Sequence, residues 1–303
     1  MIPGNGPGPT FIRQIIYYFY YHVSLLAVPA FIVSSLYLFM EKASLTEGYW
    51  KKRLLRLANI FLFWVGVQFC LYLLLGGKLP LSLNSIPDGG PALPTGGASI
   101  FYFLVVLIKC TILSCLFLKL PETIKWVLSV VVLCLTCLHF GLSPLYEISI
   151  GTTSMDNYYV YIPMAYYLAK YRAKFPRYRL IFFTLFVGSI FIEEFMIGHF
   201  TSAYGRLSIL FGVLFSVSLL SYPQKPGRYR VVSLLSRYSL GIFALHLYWI
   251  SVGDAFLRAI KSIGLITSMP MVMEKLLLLA LVVALTGSSI YLLSRTRLRR
   301  YVS

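Results

Sequence analysis

Apolar residues fall in nine runs separated by short polar or basic linkers: 20–41, 56–76, 99–119, 125–142, 157–170, 179–198, 206–222, 236–253 and 271–294. A helix needs about 20 predominantly apolar residues to cross a bilayer, and its backbone polar groups must be satisfied within the segment. The pattern therefore predicts an all-α, polytopic transmembrane helical bundle of about nine spans, with the run at 157–170 the shortest. It forms a single membrane domain over 1–303. Residues 1–10 read as a flexible external tail without signal-peptide features, and the Gly- and Pro-rich stretch 77–98 as an external loop.

Composition agrees: 58% of the 303 residues are hydrophobic, 12% are charged, and the mean hydropathy is +0.79. A net charge of +17 would point to nucleic acid in a soluble chain, but here its placement decides the matter. Twenty of the 27 Lys and Arg residues sit in the alternate linkers 42–56, 119–125, 170–179, 225–237 and 295–300. Linkers rich in Lys and Arg remain cytoplasmic, which puts the C-terminus inside and, with nine spans, the N-terminus outside. Orientation and contact with lipid headgroups account for the charge, and no nucleic-acid partner is needed.

Chemistry must come from the few ionisable groups in or beside the spans, because such groups are costly in hydrocarbon. Lys109 lies halfway along the third run, and two readings stand: an ion pair with Glu193 or Glu194, or a contact to substrate. Adjacent residues on a helix are about 100° apart, so the two glutamates cannot both face one partner. Arg206, past the next turn, is placed to neutralise one of them, and either carboxylate is a candidate acid or base. His139 and His199 lie near external helix ends, where an amphipathic ring suits the headgroup level. His246 reads as a hydrogen-bonded core residue. His22 stands in the aromatic stretch FIRQIIYYFYYHVSLLAVPAF. Cys134 and Cys137 spell CxxC inside an apolar run and read as packing residues, and no metal-ligand spacing, nucleophile elbow, dinucleotide fingerprint or phosphate loop is present.

Several stretches together resemble the acyltransferase-3 family of polytopic membrane O-acyltransferases. VPAFIVSSLYLF followed by YWKKRLLRLANIFLFW resembles its helix, cytoplasmic R-x-x-R pair and next span, with Arg53 and Arg56 on the pair. MDNYYVYIPMAYYLAKYRAKF resembles its tyrosine-rich helix, with Ala165 where glycine is usual, and LLSRYSLGIFALHLYWI its histidine-bearing helix, with His246 on the histidine. The resemblance implies a multi-pass protein of the bacterial cytoplasmic (inner) membrane that takes an acyl group, acetyl above all, from cytoplasmic acyl-CoA. The acceptor would be a hydroxyl of a glycan, glycolipid or similar molecule. Arg53 and Arg56 would hold the donor's phosphates, a task that suits planar guanidinium groups, and a histidine would act as general base. No bound cofactor is implied.

Two departures qualify the resemblance. Members carry an extra first helix with a basic residue and, eleven positions later, the catalytic histidine. Here the nearest equivalents are Arg13 and His22, nine apart and about 180° opposed on a regular helix. Ser35 stands where glycine would allow close backbone approach. The enzyme reading leads, with His22 or a histidine from a partner chain as its base. The alternatives are an inactive acyltransferase-like subunit packed on a partner through helix 11–41, and a lipid or solute transporter lined by Lys109, Glu193 and Glu194.

Overall fold

The structure, a computed structural model, describes residues 18–43, 45–74, 102–143, 146, 154–197, 203–220, 238–262 and 271–302. The tail over 1–10, the loop over 77–98 and the basic linker 225–237 lie outside them. Among the described residues there is no strand. The helices are α1 (Ala27–Ala43), α2 (Tyr49–Leu74), α3 (Tyr102–Lys119), α4 (Glu122–Leu142), α5 (Tyr161–Lys170), α6 (Arg179–Phe191), α7 (Leu207–Leu220), α8 (Ser239–Ser262), α9 (Met271–Ser294) and the short α10 (Arg299–Val302). A π-helical turn, Phe19–Val23, and a 3-10 turn, Ser24–Leu26, lead into α1, and a second π-helical turn, Ile192–Ile197, extends α6.

Among the described residues seven helices are long and apolar enough to cross a membrane: Tyr21–Ala43, Tyr49–Cys70, Tyr102–Lys119, Glu122–Leu142, Phe175–Phe195, Leu240–Ser262 and Met273–Ser294. All nine predicted runs contain a helix, but two of the helices are short. In the run 157–170 a 3-10 turn at Met155–Asn157, capped by Ser154, uses up the first residues and leaves the 10-residue α5. In the run 206–222 the fully buried Arg206 stands at the threshold of a 14-residue α7, about 21 Å long.

Contacts divide the chain into two compact units, Met1–Leu55 with Val106–Pro223, and Arg56–Val105 with Gln224–Ser303. In the first, α1 presents a stripe at helical spacing, Ile32, Val33, Leu36, Phe39 and Met40, all buried, and packs along α5 and α7. Ala165 is fully buried in α5, where a small side chain allows the helices to approach. The α6–α7 pair is closer still: a Cβ on Gly212 would lie 2.7 Å from Leu26 Cδ2 and 2.8 Å from the Phe186 ring. The sharp turn between α1 and α2 places Gly48 at a φ of 73°, a left-handed conformation that glycine adopts at little cost.

Ion pairs mark one end of this unit. Lys170 at the end of α5 bonds Glu122 at the start of α4 at 2.5 Å, and Arg172 lies 3.6 Å from Glu41 at the end of α1. The basic linker after α5 is thus level with the two basic linkers before it. Asp156 and Tyr159, just before α5, line one groove with His139, which is about 25 Å along α4 from Glu122. Short as α5 is, the stretch 156–170 runs from one end of the unit to the other.

In the second unit α8 packs on α9, where a Cβ on Gly253 would come 2.7 Å from Leu278 Cδ1, and Trp249 Nε1 donates to Ser289 Oγ at 3.0 Å. The C-terminal α10 folds back so that the Tyr301 ring stacks on Phe63 with centroids 4.1 Å apart, while the Tyr301 carbonyl accepts from Trp64 Nε1 at 3.1 Å. Large apolar side chains such as Trp126 and Leu135 on α4, Phe183 on α6 and Val283 on α9 are exposed. In water such a surface would drive aggregation; on helices of span length it is a lipid-facing surface.

Candidate functional site

Both π-helical turns carry candidate residues. Wide turns of this kind interrupt the i→i+4 ladder and recur at functional sites. In the first, the Ser24 N–H bonds the Phe19 carbonyl, and in the 3-10 turn that follows the Ala27 N–H bonds the Ser24 carbonyl. The Tyr21 carbonyl lies at this change of pitch and accepts from an Arg206 Nη2–H, while Arg206 Nε donates to the Ala203 carbonyl at 3.3 Å. The guanidinium also lies 5.7 Å from the centre of the Tyr21 ring. Arg206, only 1% exposed, thus fastens the first turn to the start of α7.

That fastening holds His22, 2% exposed, against the second turn. His22 Nε2 lies 2.8 Å from Glu194 Oε1, and its Nδ1 is 3.4 Å from Ser208 Oγ. Glu193 meets the same serine, accepting from the Ser208 backbone N–H at 2.8 Å and, through its other oxygen, from the Ser208 hydroxyl. The adjacent glutamates take different partners, as their angular offset requires, but those partners touch each other. An ionised carboxylate can only accept, so Glu194 fixes the His22 proton on Nε2 and leaves Nδ1 as the basic nitrogen, facing Ser208. A carboxylate thus orients the ring as it would an oriented general base, while the Ser208 hydroxyl, whose proton goes to Glu193, has none to give Nδ1.

A second polar centre lies toward the basic end. Arg53 Nη2 donates to Ser35 Oγ at 2.9 Å and its Nε to Thr111 Oγ1 at 3.3 Å, with the guanidinium carbon 5.1 Å from the centre of the Phe39 ring. Thr111 can accept because its own proton goes to the Leu107 carbonyl at 2.7 Å. Arg56, one turn along α2, is exposed. His22 and Ser35 both belong to the first candidate span, 13 residues and on the order of 20 Å apart along its axis.

The other candidates lie apart from these centres. Lys109 is exposed on α3, and Glu194, one of its two predicted partners, is paired with His22. His246, half-buried in the second unit, has Nδ1 3.0 Å from the Ile242 carbonyl and its ring against Phe243. Cys134 and Cys137 are free thiols, Cys134 being exposed. His199 and Arg13 lie outside the described residues. Sequence reasoning missed Ser208 and Thr111, hydroxyls in apolar helices whose only signal was polarity inside a span.

A search of characterised proteins and a search of solved structures each found no match. A family profile does match, described as an acyltransferase domain, over residues 2–293. With nearly the whole length matched, and with helices long enough to cross a membrane many times, the chain belongs to the acyltransferase-3 family.

Proposed function

We propose that the protein transfers an acyl group from cytoplasmic acyl-CoA to a hydroxyl presented at the opposite membrane face, with His22 as general base. Family membership implies a membrane acyltransferase; donor, acceptor and residue roles are our reading. The observation that carries it is the pair of polar centres toward the two ends of one helix. Arg53, held by Ser35 and Thr111, supports the donor end, and His22, oriented by Glu194, supports the acceptor end. Their separation along the helix is of the order of an extended pantetheine arm, which would carry the thioester inward while its phosphates stay with Arg53 and Arg56.

In the reaction His22 Nδ1 removes the proton of the acceptor hydroxyl as its oxygen attacks the thioester carbonyl. The carbon–sulfur bond breaks, and the imidazolium returns the proton to the departing thiolate. Glu194 stabilises the imidazolium between these steps. An acetyl donor and a glycan or glycolipid acceptor at a bacterial cytoplasmic membrane fit this scheme.

Purified protein in lipid nanodiscs should bind acetyl-CoA, and transfer to an acceptor should depend on His22. The expected result is weaker acetyl-CoA binding in Arg53→Ala, and normal binding without turnover in His22→Gln. Unchanged binding in Arg53→Ala would remove the donor site, and full turnover in His22→Gln would remove the base.

A further inference from the structure

On the first unit, α3, α4 and the segment before α5 enclose an elongated groove of about 640 Å3, within the roughly 300–1,000 Å3 typical of ligand sites. Leu113 and Phe117 of α3 form one wall, Leu128 and Val132 of α4 another, and the groove ends at His139, Asp156 and Tyr159. The α4 wall from Leu128 to His139 is about 16 Å long. Leu116 and Leu135, which also line the groove, are exposed, so it opens sideways. Both α3 and α4 are candidate spans, and what lies outside a sideways opening at that depth is hydrocarbon.

We propose that this groove holds one hydrocarbon chain of a membrane lipid whose hydroxylated head group is the acyl acceptor. Its body is almost wholly apolar, as a lipid chain requires, and its polar groups cluster at one end. There His139 Nε2 is buried with no hydrogen-bond partner among the described residues, and the Asp156 carboxylate, which accepts from Ser154 Oγ at 2.8 Å, has lone pairs left for further donors. These groups suit hydroxyls, whereas a phosphate beside Asp156 would be repelled. This polar end also adjoins the His22 centre. A Cβ on Gly141, two residues beyond His139, would lie 3.8 Å from Leu207, which stands between Arg206 and Ser208. On the other wall, the Tyr158 ring is 6.2 Å from that of Tyr204. A chain in the groove thus delivers its head group next to the residues that position His22. The role of acceptor rests on the transferase reading, but binding of the chain does not.

The test uses the full chain in phosphatidylcholine nanodiscs doped with a glucosyl diacylglycerol that carries a diazirine in one acyl chain. Photolabelled peptides are then mapped. Labelling is expected to concentrate on 113–120 and 128–139. It should fall several-fold in Val132→Trp but not in Val132→Ala, and be displaced in the unmodified protein by glucosyl diacylglycerol better than by added phosphatidylcholine. Equal labelling of the outer faces of α4, α6 and α9 would overturn the site, as would indifference to the sugar lipid, which is read without any variant. Selective labelling without acetyl-CoA binding would leave the lipid site and remove its acceptor role. Acetyl-CoA binding without selective labelling would remove the groove alone.

Discussion

Arg53 donates to the hydroxyl of Ser35 across the turn between α1 and α2, at 2.9 Å and 18 residues apart in the chain. With Thr111 and the Phe39 ring, that bond fixes the plane of a guanidinium whose fork would otherwise swing freely. Ser35 replaces a glycine that the family pattern favours. Its effect here is to anchor the cation proposed to hold the donor's phosphates.

The anchor gives the first prediction. Arg53→Ala should weaken acetyl-CoA binding by one to two orders of magnitude, on the order of 1.5–3 kcal/mol for a lost charge-assisted hydrogen bond. Arg53→Lys should recover only part of it, since an ammonium lacks the planar fork. Ser35→Ala, which leaves the charge but frees the fork, should cost less than Arg53→Ala. Isothermal titration of the purified protein separates these cases.

At the other centre the two glutamates should behave differently. Glu194→Gln keeps an oxygen for the His22 Nε2–H but removes the charge that stabilises an imidazolium. The turnover number should drop by about 10²-fold with the KM for acetyl-CoA unchanged. Glu193 bonds Ser208 at both backbone and hydroxyl, so Glu193→Gln should act through the placement of α7, lowering thermal stability as well as rate. Steady-state kinetics alongside Tm measurements separate the two; equal effects on both readouts would remove the distinction between base-orienting and structural carboxylates.

How much of this was legible in the sequence depends on what hydropathy encodes. Span-length helices were, because uninterrupted apolar runs report helices directly. The shortness of α5 and α7 was not, since the run at 157–170 stays apolar through the non-helical residues 158–160 that precede α5, and the buried Arg206 stands just ahead of α7 rather than within it. Lys109 was expected to point inward because it is charged, but the buried polar residues of α3 are Thr111 and Ser114, and Lys109 is exposed on another side of the helix. A lysine stem can instead carry its ammonium toward the interface. His22 was identified, but its pairing with Glu194, 172 residues away, depends on two π-helical turns that no periodicity announces.

Close packing yields a stability prediction. A methyl group at Gly212 must displace Leu26 and Phe186, and Leu26 belongs to the turn that directly follows His22. Gly212→Ala should destabilise the protein by about 1–3 kcal/mol. It should also reduce turnover, because the strain is relieved by moving that turn. Gly188→Ala, where nothing lies within 4 Å of the added atom, is the control and should leave both Tm and rate near those of the unmodified protein.

The ion pairs at the basic end make a prediction about topology. Glu122 accepts from Lys125, Lys170 and the Tyr166 hydroxyl, tying the start of α4 to the end of α5. If 156–170 crosses the membrane despite the length of α5, Arg172 and Glu41 face one side and Ser154 the other. In a cysteine-free background, Arg172→Cys and Glu41→Cys should be blocked by a membrane-impermeant maleimide added to one side of oriented vesicles, and Ser154→Cys only by reagent added to the other. Reversing the pair, Glu122→Lys with Lys170→Glu, should restore part of the stability lost in either single variant, because the attraction survives the exchange while Lys125 loses its nearest carboxylate. Labelling of Ser154→Cys and Arg172→Cys from the same side would mean that α5 does not cross. The five cations of 170–179 would then lie opposite those of 42–56, against the charge bias that orients every other linker.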